Sequence, residues 1–170
     1  MDQIRTQYYH SSIGELIIGS FDNQLCLCDW RYRKQRESID NRIKNGLKSQ
    51  YVDKSDDLIE ETKLQLEEYF NYKRKSFNLP VLTVGTEFQK RVWDGLSRIP
   101  FGKTLSYLEL AEEIADRKTV RAVASANGAN AISIIIPCHR VIGNNGNLMG
   151  YAGGLPAKEK LIALENDLFN

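Results

Sequence analysis

Residues 136 to 143 read Ile136-Pro137-Cys138-His139-Arg140-Val141-Ile142-Gly143, which sets a cysteine beside one of only 2 histidines in a chain of 170 residues. The reactive form of cysteine is the thiolate, and at an unperturbed pKa of about 8.5 only roughly 3% of it is present at pH 7. A cysteine that reacts therefore needs a base or a positive field close by. His139 offers the first and Arg140 the second. Without its surroundings, the pair fits better an inert thiol closing the apolar run Ile134-Ile135-Ile136, and it is the surroundings that reverse this.

The elements around the pair are those that would position a nucleophile. Ser133-Ile134-Ile135-Ile136 is short, β-branched and stopped by Pro137, which predicts a buried strand with Cys138 just past its end. A turn-rich loop follows from Gly143 to Asn147, and Gly150, Gly153 and Gly154 flank Tyr151 and Ala152. Such a loop lets the backbone come close to a flat ligand. Thr86 with Gln89 and Ser106 with Glu109 match capping boxes, so helices are expected to start at both places. A further helix opened by Thr119 would follow the short turn Asp116-Arg117-Lys118, giving a helix-turn-helix with Arg121 on its second helix. That helix is rich in small residues (Ala122, Ala124, Ser125, Ala126, Gly128), which favours close backbone approach over reading of base edges. Pro156 suits the first turn of a last helix carrying Glu165.

Upstream, alternation from Ile4 to Trp30 with turn residues Ser11, Ser12, Gly14, Asp22 and Asn23 predicts a three-stranded meander. Ser55 is positioned to cap a helix to about Phe70, with Leu58, Ile59, Thr62, Leu66, Tyr69 and Phe70 on one stripe. Residues 31 to 54 are ambiguous, read as one helix and a loop, and 77 to 82 as extended chain. Cys26 and Cys28 alternate along one strand, so both are expected on the same face as buried small hydrophobes, with His10 the one further candidate ligand for a metal.

The stretch Ala126-Asn127-Gly128-Ala129-Asn130-Ala131 through Leu155 resembles the active-site segment of the O6-methylguanine-DNA methyltransferases, with its Pro-Cys-His-Arg-Val core, Asn-Gly and Tyr-x-Gly-Gly-Leu. Thr86-Glu87-Phe88-Gln89, Val92-Trp93, Ile99-Pro100-Phe101-Gly102, Thr104 and Ser106-Tyr107 extend the resemblance. Tyr8-Tyr9, Ile13-Gly14 and Asp29-Trp30 look like the bacterial members' amino-terminal domain. Where the family usually has Asn-Pro this chain has Asn130-Ala131, which bears on local rigidity and touches no reacting group.

The resemblance implies an α+β fold: a small amino-terminal three-stranded antiparallel sheet with a helix, then a mostly helical domain containing the helix-turn-helix. The domains would be a ribonuclease-H-like α/β unit over residues 1–80 and an alkyltransferase and DNA-binding unit over 81–170. It implies transfer of an alkyl group from O6-alkylguanine, and O4-alkylthymine, in double-stranded DNA to Cys138, irreversibly and once per molecule, with no cofactor or metal. It carries over a proton-accepting role to His139, an orienting role to Glu165 and proton donation to the leaving base to Tyr107. Val141, Tyr151, Ala152 and Lys158 would line the substrate pocket, and Arg121, Arg140 and Asn130 would contact DNA. The family's second helix enters the minor groove, with an arginine at the position of Arg121 filling the space left by a flipped base.

Charge and composition agree. The formal net charge is +1, yet residues 117 to 158 carry Arg117, Lys118, Arg121, Arg140 and Lys158 and no acidic side chain. A basic patch around a reactive thiol is placed where phosphates would lie. A hydrophobic content of 42% suffices for one sizeable core. With no apolar run near membrane-spanning length, no leader and an odd count of 3 cysteines, a cytoplasmic monomer with a free thiol is expected. Two other classes fit the residues less well. A lesion-binding module would lack the nucleophile, and a Cys-His hydrolase would need a histidine brought from elsewhere and an oxyanion hole.

Overall fold

Three antiparallel strands open the computed structural model, which describes residues 3–166. They are β1 (Ile4–Ser11), β2 (Gly14–Phe21) and β3 (Gln24–Trp30). Between β2 and β3, Asp22 and Asn23 both take positive φ, 51° and 58°. These are the residue types that tolerate the two-residue hairpin geometry matching strand twist. A fourth strand, β4 (Tyr51–Asp53), pairs parallel with β1, giving the order β3-β2-β1-β4. It lies in the ambiguous stretch, because three residues carry too little alternation to be read. Helix α1 (Arg36–Leu47) makes the crossover.

The sheet is covered on both faces. Ile39 and Ile43 of α1 pack with Ile4, Ile17, Cys26 and Leu27. On the other face Leu16, Ile18, Leu25, Cys28 and Trp30 join Ile59, Leu66 and Tyr69 of α2 (Asp57–Phe70) in the main core. Cys26 and Cys28 thus face opposite ways, contrary to the simple alternation. The register slips by one residue opposite Gly19 and Ser20, and the bulge reverses the side on which Cys26 points. The cap of α2 also differs from expectation: Asp56, not Ser55, accepts from Ile59 N at 2.8 Å, while the Ser55 hydroxyl donates to Glu60. Residues 77 to 82 run extended along β3, with Leu25 N donating to Pro80 O and Leu82 N to Leu25 O.

The rest is helical around a two-stranded parallel pair, β5 (Leu105–Ser106) with β6 (Val141–Ile142). Helices α3 (Glu87–Ser97) and α4 (Tyr107–Ile114) both start at complete capping boxes, Thr86/Gln89 and Ser106/Glu109. A 3₁₀ turn, Arg117–Thr119, is capped by Asp116 and leads into α5 (Val120–Gly128). Thr119 precedes α5 without a side-chain cap bond. The last helix is α6 (Leu155–Glu165), with proline in its first turn. No helix of the described residues is long and apolar enough to cross a membrane.

The predicted strand at Ser133–Ile136 is instead a tight turn. Residues 131 to 133 meet β3 at Cys28 in a single isolated bridge, and Ile134 takes φ 73°. The Asn130 side chain imposes the turn: its amide N donates to Ile136 O at 2.9 Å and its carbonyl accepts from Ile132 N at 3.0 Å. Short apolar runs cannot distinguish a strand from a buried turn by pattern. These bonds, with Cys28 N donating to Ala131 O at 2.9 Å, hold the segment that Pro would otherwise stiffen.

The amino-terminal sheet is braced to this turn through a buried ion cluster. Asp29, fully buried, accepts from Arg33 at 3.2 Å and Arg36 at 3.1 Å, and from the Ser133 hydroxyl at 3.3 Å. Arg33 also donates to Gly128 O at 2.6 Å and Asn130 O at 3.4 Å, and Arg42 to Ala129 O at 2.9 Å. Cationic side chains from one part thereby cap the carboxyl end of α5, where the helix dipole is negative. Removing one partner of a buried pair leaves an uncompensated charge, so Asp29→Ala is expected to cost about 3–5 kcal/mol. A urea unfolding midpoint unchanged in this variant would contradict the brace.

Candidate active site

Cys138 starts a 3₁₀ turn, Cys138–Arg140, directly after Pro137. Its amide N donates to Ile136 O at 2.8 Å and Arg140 N to Pro137 O at 3.0 Å. The thiol is therefore pinned to the Asn130 turn on one side and carries His139 and Arg140 on the other. All three side chains are buried.

Glu165 is where these groups converge. Its carboxylate lies 2.7 Å from His139 Nε2 and accepts from Arg140 Nε at 2.8 Å, Arg140 Nη2 at 3.1 Å, the Tyr69 hydroxyl at 2.6 Å and Gly102 N at 3.3 Å. With Nε2–H donated to Glu165, the lone pair of His139 sits on Nδ1, which is buried without a hydrogen-bond partner. That is the tautomer a proton acceptor needs.

The charge states follow from the surroundings. Burial pushes the Cys138 thiol up; the Asn130 side chain pulls it back by more than Asp29 adds, and Ser133 and Arg33 pull it back by less. The resting cysteine is a thiol and requires a base. Burial pushes the His139 imidazole down, with Arg140 and Lys158 adding to this against Glu165, so it is neutral and able to accept. For Glu165 burial alone would raise the pKa, but His139 and Arg140 hold the carboxylate down at about 2. The pair is thus a neutral base backed by a permanent anion.

Cys138 lines a cleft of about 1020 Å³ together with Tyr107, Asn127, Tyr151 and Ala152, and with Trp30 and Tyr32 from the amino-terminal part. Burial raises the Tyr107 phenol, Cys138 raises it further, and Asn127 pulls it back. Arg121 and Gly128 also line the cleft, so the exposed face of α5 borders the route to the thiol. Val141 is fully buried and pairs with Leu105, and it is not among the cleft residues.

Several expectations need correction. Arg140 is 7% exposed and bonded to Glu165 and Ile99 O, so it is withdrawn from phosphate contact and keeps Glu165 ionised. Positive charge bears on the thiol from Arg33, and Lys158 interacts with it electrostatically. Asn130 is 2% exposed and shapes the turn, so it is likewise no DNA contact. Lys158 is not among the cleft residues: it is buried, its Nζ donates to Met149 O at 2.7 Å, and burial lowers its pKa to about 8. It ties α6 to the glycine loop. The exposed part of the basic patch reduces to Arg117, Lys118 and Arg121.

Tyr69, Asp29 and Arg33 were not anticipated as site residues. The signals were a tyrosine on an otherwise apolar stripe, where a buried hydroxyl needs a partner, and an Asp-Arg pair four residues apart after a hydrophobic strand. Cys26 and Cys28 stay apart from the site, burial pushing the Cys26 thiol up to about 12. Among the described residues no group of three or more His, Cys, Asp and Glu side chains is arranged to hold a metal ion.

Two family profiles match the chain: "6-O-methylguanine DNA methyltransferase, ribonuclease-like domain" over residues 4–83, and "6-O-methylguanine DNA methyltransferase, DNA binding domain" over residues 87–167. A methylated-DNA–protein-cysteine methyltransferase of Methanosarcina acetivorans is 40% identical over 158 residues, covering 92% of this chain and 95% of that one. The inducible protein of that name from Bacillus subtilis is 47% identical over 110 residues, 65% of this chain and 62% of its own. Among solved structures, Mycobacterium tuberculosis O6-methylguanine methyltransferase has a TM-score of 0.79 at 35% identity, covering 98% of this chain and 93% of that one. Mycobacterium tuberculosis OGT in complex with DNA has a TM-score of 0.80 at 34% identity, covering 96% and 92%.

The Glu165 cluster predicts an acid dependence of stability. Glu165 titrates at about 2 in the fold against an ordinary 4.5, and His139 below 6.5. Both bind protons more readily when unfolded, so both stabilise the fold at neutral pH and lose that contribution on acidification. The His139 part fades as pH falls below about 6.5 and the Glu165 part between about 4.5 and 2, the latter on the order of 3 kcal/mol. Unfolding midpoints measured against pH should show a steeper loss below pH 5 for the natural chain than for Glu165→Gln. Parallel curves would rule out the ionised, bridged carboxylate.

Proposed function

Because the chain belongs to the 6-O-methylguanine DNA methyltransferase family, we infer that Cys138 is the acceptor to which this DNA repair protein transfers the alkyl group of O6-alkylguanine in duplex DNA. The observation that carries this reading is the buried sequence thiol, neutral imidazole and anchored carboxylate, opening on a cleft bordered by α5. The lesion carbon is inside the base stack, so the nucleotide must be turned out to meet the thiol.

The step balances without a cofactor. The thiol proton passes through a water to His139 Nδ1, and Glu165 stabilises the imidazolium that results. The Cys138 sulfur then attacks the alkyl carbon, forming a C–S bond as the C–O bond breaks with its electron pair going to guanine. Tyr107, which lines the cleft and whose raised pKa keeps the phenol protonated beforehand, gives a proton to the leaving base, and the tyrosinate recovers one from the His139 imidazolium through solvent. The product is a thioether that no thiol exchange reverses, so each molecule reacts once. A monomer suffices for this step, and O4-alkylthymine presents the same kind of carbon.

Two experiments test the reading. Incubation with duplex DNA containing O6-methylguanine should add one methyl group to Cys138, read by mass spectrometry, and Cys138→Ala should lose transfer while retaining binding. Label on Cys26 or Cys28, or transfer by Cys138→Ala, would sink the assignment. His139→Phe and Glu165→Gln should each slow transfer by about 10²–10⁴.

Arg121, by resemblance, occupies the space of the extruded base. Arg121→Ala should therefore slow duplex repair far more than reaction with free O6-benzylguanine, which needs no extrusion. Arg121→Lys should restore little, since lysine lacks the planar guanidinium. Equal losses on both substrates would assign Arg121 to support of the fold. If Arg117, Lys118 and Arg121 are the phosphate contacts, the log-log slope of affinity against salt should be about −3.

A further inference from the structure

We propose that Trp30, the last residue of β3 in the amino-terminal sheet, sets the size of alkyl group that the cleft accepts. The inference rests on the transfer reading above and assigns a specificity role to a part of the chain that contributes no reacting group.

Trp30 is 4% exposed and lines the same cleft as Cys138, Tyr107 and Tyr151. Its ring meets the Tyr151 ring edge-on, with centroids 5.9 Å apart and an interplanar angle of 72°. The glycine loop rests directly on the indole: a Cβ at Gly153 would stand 2.5 Å from a Trp30 ring carbon, and one at Gly14 would stand 2.9 Å from another. Both positions therefore exclude a side chain because the indole occupies the space. The backbone of residues 151 to 153, against which the flat base would lie, takes its position from this ring.

The indole is also tied to that loop by a polar contact: burial raises the Tyr151 phenol, and the Trp30 N–H bears on it and pulls it back. Phenylalanine would keep a ring in this place without that contact. A large, flat side chain held at the junction of sheet and loop is what a size-limiting wall requires. It also accounts for a cleft built from both parts of the chain, when the thiol, base and carboxylate all come from residues beyond 137.

The test compares transfer rates from duplex oligonucleotides carrying O6-methylguanine or O6-benzylguanine, with Cys138 modification read by mass spectrometry. Trp30→Ala should raise the benzyl-to-methyl rate ratio by about tenfold, the scale at which a hydrophobic pocket discriminates by size. Trp30→Phe should shift it in the same direction by less. Gly153→Ala, which drives a methyl group into the indole, should lower the ratio, and combining it with Trp30→Phe should give a non-additive recovery.

Failure of the natural chain to methylate Cys138 would count against the transfer reading and not against the wall. Methyl transfer retained by Trp30→Ala or Trp30→Phe with an unchanged ratio would overturn the proposal. If Trp30→Ala does not fold, Trp30→Phe and Trp30→Leu decide: equal loss on both substrates would make Trp30 a structural residue only.

Discussion

An ionised carboxylate in the protein interior is tolerable only when its oxygens are fully engaged, and the arrangement of this molecule follows from engaging those of Glu165. Donors arrive from His139, from the Arg140 guanidinium, from Tyr69 of α2 and from the Gly102 backbone. They come from three different stretches of chain, so the carboxylate acts as a knot between them. The same bonds fix the imidazole ring with Nδ1 free. Arg140 keeps Glu165 ionised, and Glu165 keeps His139 oriented. Fold and chemistry share one set of hydrogen bonds.

A second buried anion, Asp29, does for the nucleophile what Glu165 does for the base. Arg33 and Arg36 neutralise it, Ser133 hydrogen-bonds to it, and Arg33 reaches on to Gly128 and Asn130. The turn that presents Cys138 is therefore held from the amino-terminal side. Asp29 also raises the thiol, along with burial. A thiol kept protonated at rest is poorly reactive toward oxidants, which suits a residue that can be used once.

The surface offered to DNA is more economical than charge counting suggests. Two of five cations between residues 117 and 158 are internal, leaving three around the start of α5. Small side chains on that helix allow close approach, and the cleft beside it is walled by both parts of the chain.

The sequence by itself determined the chemistry and most of the helices. Cys138 beside His139, the two capping boxes, the meander and its turn residues depend on neighbours within a few positions, and local patterns record such dependence faithfully. It also located Glu165, though only through family resemblance, since no local pattern marks a surface-type acid as buried. What sequence could not decide was the direction in which side chains point once distant segments meet. The bulge that parts Cys26 from Cys28, the turn that Asn130 makes of an isoleucine run and the inward rotation of Arg140 and Lys158 were decided by tertiary structure. So was the recruitment of Tyr69 and Trp30 to a site about a hundred residues away in the chain. In each case a buried polar group or a filled volume far along the chain overrode the local preference, and a local pattern carries no record of it.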